Sequence, residues 1–257
     1  ADQRSKQIAG TPIVLQYKTE NTPTPIEFQG YAYTRTPSEI SGALMTRYDE
    51  SKPEVWNIPL YKDISPSMRV TAPKAGYIVP PAFADFIEAR LSTHGIISSK
   101  ISKPQALASV EQFHTNTAEL SAQSFESHQA LKITGQWQKQ DTEIAAGSLY
   151  VPIAQAKSAL VMALLEPQAP DSYLSWGLFN NQFERKEYME DYVAEEVARE
   201  MLKDSAIKAE FDAKLAANKA FADSPQQRLE FFARKHPSWD ERYQVYPVLR
   251  TDTKLNN

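Results

Sequence analysis

The apolar residues of this chain change period once, near residue 153, and that change limits the fold more than any other feature. Before it, β-branched and aromatic residues come in short runs, at residues 13–17, 26–33, 43–48, 55–61 and 68–71. Turn chemistry such as Asn21-Thr22-Pro23 and Thr36-Pro37-Ser38 separates them, which predicts strands. Pro59 places its run at a sheet edge, because proline cannot donate to a ladder. From residue 110 to 153 period two continues, with Leu131, Ile133 and Trp137 and then Leu149, Val151 and Ile153 alternating with polar neighbours. Gly147 falls in a turn between them. Beyond Pro152 the spacing becomes helical. Residues 160–165 are apolar on every side, predicting a buried helix that stops before Pro167. Ser224-Pro225-Gln226-Gln227 forms a capping box with Pro in the first turn, opening a helix that runs to Lys235.

One helix is expected inside the β-rich part. In residues 75–101, AGYIVPPAFADFIEARLSTHGIISSKI, Pro81 suits a first turn, and Phe83, Phe86, Ile87 and Leu91 recur at helical spacing. His94 suits the last turn and Gly95 the stop. With flanking strands this reads as a β-α-β unit whose strands are parallel. The expected class is α+β: a β-rich part, residues 1–153, with this unit at 75–101, followed by a mainly helical part, residues 154–257, packed on it.

Composition removes several functions. A length of 257 residues at 42% hydrophobic content supports a sizeable core. A net charge of -4 leaves no excess of Lys and Arg for a phosphate backbone, so no nucleic-acid partner is expected. The absence of cysteine excludes disulfides, thiolate nucleophiles and iron–sulfur clusters. The longest apolar run, ALVMALL, is far short of the roughly 20 residues of a membrane helix. The opening ADQRSKQ is polar, unlike a signal peptide, as in a mature, trimmed or fragmentary chain.

Catalytic motifs are equally sparse. His94, His114, His128 and His236 lack zinc-site spacing, and the glycines form no phosphate-cradling loop or nucleophile elbow. Arg35, Arg47 and Tyr48 lie close to turns, where a guanidinium fork and a phenol can hold a carboxylate or simply pair across a hairpin. In residues 175–202, SWGLFNNQFERKEYMEDYVAEEVAREML, aromatics run into acids. Trp176, Tyr188 and Glu190 are ligand or interface candidates there. The apolar direction rotates along this stretch, so a break or kink near residues 194–196, or cover on both sides, is expected. Glu187 and Asp191 fall on a face expected to be solvated, while Trp176, Phe179, Tyr188 and Tyr192 are expected to be buried packing residues. Arg199 and Lys203 follow acids at pairing distance.

Several long strings carry a resemblance. They are GYAYTRTPSEISGALMTRYD, AGYIVPPAF, GSLYVPIAQAKSALVMALLEPQAPDSYLSWGLFNNQFERKEYMEDYVAEEVAREML and the closing WDERYQVYPVLR. Together they are similar to the C-terminal part of bacterial M14-family zinc carboxypeptidases. The resemblance implies a parent enzyme whose zinc-bound water hydrolyses peptides, with zinc, H-x-x-E pair and catalytic Glu all in a preceding peptidase domain. None of those residues has a counterpart here, so no cofactor is assigned to this chain. The implied partners are that upstream domain and its peptide substrate, and the implied location is periplasmic or secreted. The function expected is a non-catalytic accessory region, and the alternative is an independent peptide- or ligand-binding module.

Overall fold

A computed structural model describes residues 7–185 and 189–255, with the side chains of Leu107 and Ala108 outside that description. The fold is mixed α+β. Its contacts divide into two compact units, Thr11–Thr71 and a larger one formed by Ala72–Asn257 with Ala1–Gly10.

The smaller unit is a β-ribbon built from strands β1 (Pro12–Thr19), β2 (Thr24–Pro37), β3 (Leu44–Leu60) and β4 (Ile64–Thr71). β1 pairs antiparallel with β4, and β2 with β3. Between the two ladders Glu20 N–H donates to the Asp63 carbonyl at 2.8 Å, so one ladder leads into the next. The two runs at 43–48 and 55–61 are one strand, β3. The extra residues Glu50, Ser51 and Lys52 bulge out of it between the pairs Ala32↔Asp49 and Tyr31↔Pro53. Asp49 organises the bulge, accepting from Ser51 N–H at 3.1 Å and pairing with Lys52 at 3.0 Å. Ser38 closes the far tip, its hydroxyl oxygen accepting from the N–H groups of Ile40 and Ser41 at 3.2 Å.

The larger unit carries a six-stranded sheet in the order β6-β9-β5-β10-β7-β8, antiparallel throughout. These strands are β5 (Gly76–Val79), β6 (Ser99–Lys100), β7 (Gln105–Leu120), β8 (Leu131–Ile144), β9 (Leu149–Pro152) and β10 (Leu249–Thr251). Helix α1 (Pro81–Thr93) links β5 to β6. These two strands run in the same direction, as the sequence predicts, with β9 inserted between them. α1 ends as expected: Gly95 takes φ +66° and Ile96 N–H reaches the Leu91 carbonyl at 3.0 Å. β10 was not foreseen. The chain returns after its helices to place three residues at the centre of the sheet, a strand too short to display a period.

Helix α2 (Ser158–Leu165) buries Val161, Met162 and Leu165 completely, which matches its uninterrupted apolar sequence. Helices α3 (Asp191–Met201), α4 (Ser205–Ala217), α5 (Lys219–Ala222) and α6 (Pro225–Ala233) enclose a second core of Phe211, Phe221, Phe231 and Phe232 around Ala198. Phe211 and Phe232 lie 4.8 Å apart, and Ser224 caps α6 through Gln227 N–H at 3.3 Å. α6 ends at Ala233, two residues short of Lys235.

The aromatic and acidic stretch at 175–202 differs from its expected form. A short 3-10 turn occupies Asn180–Gln182, and α3 starts only at Asp191, so the break precedes residues 194–196. Phe179 is fully buried and Trp176 partly so, but Tyr192 is 73% exposed, contrary to the expected burial. The reason is that α3 packs through its small residues Ala194 and Ala198, which turns Tyr192 outward. Asp191 is exposed as expected, and Glu187 lies outside the described residues. Arg199 pairs with Glu195 and Glu196, and Lys203 with Glu200. These acids have helical partners and solvent.

Candidate functional site

Among the described residues three places hold unusual chemistry. The first is a buried charge centre in the larger unit. Arg250 of β10 stands beside Tyr77 of β5 and Glu111 of β7, and Glu111 stands beside Lys139 of β8, so four adjacent strands contribute one row. Glu166, just past α2, accepts from Arg250 through both carboxylate oxygens, with Nε to Oε1 at 2.9 Å. The Tyr77 hydroxyl donates to the same carboxylate. The guanidinium lies 4.0 Å from the Trp137 ring centre, and Glu111 stands 3.8 Å away on its more exposed side. Burial pushes the Glu166 carboxyl above the usual range, while the Arg250 charge and the hydrogen bonds from Arg250 and Tyr77 pull it back. Burial also raises Tyr77 and Tyr246, each beside the Glu166 charge, and lifts Tyr173 to about 12. The Arg250 and Glu166 side chains are only 9% and 3% exposed and bond to each other, so the centre ties the end of α2 to β10.

The second place is an open cleft of about 1310 Å³ whose lining includes Glu184, Glu190, Trp239, Arg242 and Tyr243. Two of its arginines pair locally: Arg234 with Glu230 at 2.6 Å and Arg242 with Asp240 at 3.3 Å. His236 Nδ1 accepts from Ser238 N–H at 3.2 Å and lies 2.7 Å from the Ser238 hydroxyl, a local turn. His128 stacks edge-on against Trp176 at 5.5 Å, and His94 caps α1. Among the described residues no three His, Asp or Glu side chains converge.

The third is the ribbon. Phe28 lies directly opposite Trp56, and Tyr33 opposite Tyr48. All four rings meet on one face, with Trp56 centred 6.1 Å from Phe28, 5.7 Å from Tyr33 and 5.9 Å from Tyr48. Gly30 makes this possible. A Cβ there would sit 2.5 Å from the Trp56 ring. Arg35 extends the face, its guanidinium 5.4 Å from the Tyr33 ring. Phe28, Tyr33 and Tyr48 remain 49%, 48% and 58% exposed, leaving roughly 100 Å² each to solvent. With Leu44 beyond them, the face reaches several hundred Å², roughly the 300–600 Å² of the largest apolar patch on a typical monomer, which is often functional.

The sequence candidates thus separate. Arg35 and Tyr48 share the aromatic face, whereas Arg47, opposite Thr34 and next to Tyr48, points to the other side. Trp176 packs on His128 and does not line the cleft that Glu190 borders. Tyr188 lies outside the described residues. Sequence reading missed Glu166, Arg250 and Trp56. An acid directly after the apolar run ALVMALL, and an arginine inside VYPVLRT, were the available signals.

No family model, curated protein or solved structure matches this chain. The likeness to M14 carboxypeptidases therefore rests on the quoted strings alone.

Proposed function

We propose that this chain is a non-catalytic accessory region that docks its aromatic ribbon face onto a neighbouring protein surface. The observation that carries this reading is the ribbon itself: β2 and β3 pair only with each other among the described strands, and their aromatic face is about half exposed. An isolated two-stranded ribbon is marginal in water, and partner contact supplies the burial that it lacks. Such a face behaves as a hot-spot cluster, since aromatics and arginine dominate binding energy at interfaces.

Following the resemblance, the partner is the peptidase domain of an exported M14-type zinc carboxypeptidase, which supplies the zinc and the hydrolytic chemistry. In this reading the chain supports the peptidase domain or walls its peptide cleft. The test has two parts. The isolated chain is assayed for bound metal and for carboxypeptidase turnover, and the peptidase domain is assayed with and without the chain. The proposal expects no turnover from the chain alone and a peptidase domain whose stability or cleavage rate rises in its presence. Stoichiometric zinc with turnover in the isolated chain refutes it.

A further inference from the structure

β8 is the terminal strand of the six-stranded sheet, and its outer edge has a defined pattern of backbone groups. Two contacts fix which of its backbone groups point away from β7. Leu131 N–H donates to the Ser175 carbonyl at 3.2 Å, and the Ile133 carbonyl accepts from Gln168 at 3.3 Å, both outside the sheet. Odd-numbered residues of β8 therefore face outward. The register shifts leave this alternation intact, because the surplus residues lie in β7, between Leu107 and Val110 and between Thr115 and Thr117. Beyond residue 133 the strand is the last in its sheet, with Trp137, Lys139, Asp141 and Glu143 on the outward set. No proline interrupts it.

The ribbon handles its edge differently. Pro25 and Pro59 face each other directly, and neither has an N–H, so they form a pair whose backbone groups point outward. By period two Pro53, Val55, Asn57 and Pro59 present the outer edge of β3, which then lacks donors at both ends of that span. β3 is blunted against strand addition by its prolines, whereas this part of β8 keeps its outward N–H groups and guards its edge with charges alone, which a partner of matching charge can satisfy.

Charge selects the occupant. The row across the sheet alternates in sign from Glu166 to Arg250, Glu111 and Lys139, and it stops at the edge. Among the described residues neither Lys139 nor Asp141 forms an ion pair within 4.0 Å, although Asp141 accepts from Ser109 N–H at 2.9 Å. The two are separated by one residue, on the same face. We propose that β8 pairs antiparallel with β8 of a second copy about a twofold axis through Gln140, making a continuous sheet across a dimer. In that register Lys139 of each copy opposes Asp141 of the other, and the alternating row continues into the partner. Moving the axis one residue to Lys139 would set that lysine against itself. Trp137 and Glu143 come opposite each other, so outward backbone groups at 137, 139, 141 and 143 all find partners.

The absence of cysteine makes the test clean. The two Gln140 residues form a non-hydrogen-bonded pair with Cα atoms about 4.5 Å apart, within disulfide reach. A Gln140→Cys chain should give a covalent dimer under mild oxidation, and a Lys132→Cys chain, far from the axis, should not. Sedimentation of the full chain should show a concentration-dependent dimer. Lys139→Asp should raise its dissociation constant about tenfold or more, and Lys139→Asp with Asp141→Lys should restore it. A chain that stays monomeric through the millimolar range overturns the proposal. So does a dimer that Lys139→Asp leaves unchanged and Gln140→Cys fails to cross-link. The ribbon takes no part in these readouts, so the outcome is separate from that of the docking proposal.

Discussion

Replacing Glu166 by glutamine asks whether the buried charge centre holds the larger unit together. The side chains of Arg250 and Glu166 are 9% and 3% exposed, so removing the negative charge strands a guanidinium with little water. Breaking one partner of a buried pair typically costs 3–5 kcal/mol. Three features keep Glu166→Gln near the lower end, at about 3 kcal/mol. Glutamine retains an acceptor for Arg250 or Tyr77, the guanidinium keeps the Trp137 face at 4.0 Å, and Glu111 remains 3.8 Å away. Glu111 itself is 34% exposed, and Glu111→Gln should cost at most about 1 kcal/mol. Urea unfolding followed by tryptophan fluorescence and far-ultraviolet circular dichroism reads both, with m unchanged. In thermal scans about 3 kcal/mol corresponds to a Tm lower by roughly 6–12 °C for a unit of this size. Glu166→Met with Arg250→Met should recover much of the loss, because an apolar pair leaves no uncompensated charge. A Glu166→Gln penalty below about 1 kcal/mol, or one equal to that of Glu111→Gln, refutes the reasoning.

Other outcomes follow from the same geometry. Tyr173 is raised to about 12 by burial, and Tyr77 and Tyr246 are raised too, so the folded chain favours their neutral forms. That stability is fully present below pH 10, the unfolded value, and is lost as the pH climbs from 10 through 12. Ultraviolet titration should show these tyrosines ionising only together with unfolding, and ionisation of all twelve without loss of structure would contradict this. Gly30→Ala should destabilise the ribbon by about 1–3 kcal/mol, since its Cβ meets the Trp56 ring at 2.5 Å, and hydrogen exchange of β2 and β3 reads the effect without the larger unit. Ser224→Ala should cost about 1 kcal/mol in urea by removing the acceptor for Gln227 N–H, and no change would mean that the cap is immaterial.

Local chemistry was readable wherever a residue acts on its own neighbours. Pro81 and Gly95 delimit α1, Ser224 caps α6, and period two marks the long strands. Long-range consequences were not readable. β10 is three residues long, and its place between β5 and β7 is set by Arg250 meeting Glu166 some 84 residues away in sequence. The aromatics at 175–202 drew attention because they are large, yet α3 packs through Ala194 and Ala198, whose small size lets helices approach. Arg47 and Tyr48 look like one site in sequence, but adjacent strand residues point to opposite faces. Only the register, with its bulge after Asp49, shows that Tyr48 shares a face with Trp56.

The central claim is that the aromatic ribbon face docks on a partner, and calorimetric titration tests it most directly. The partner to use is the M14-type peptidase domain that the proposed function calls for, expressed separately. Phe28→Ala and Tyr48→Ala alter rings that are about half exposed, and each should weaken binding by about 2 kcal/mol, near thirtyfold in Kd, with circular dichroism unchanged. Arg47→Ala, on the opposite face, should leave Kd within a factor of two or three. An absence of binding, or binding that the Phe28 and Tyr48 variants leave untouched, would contradict the account.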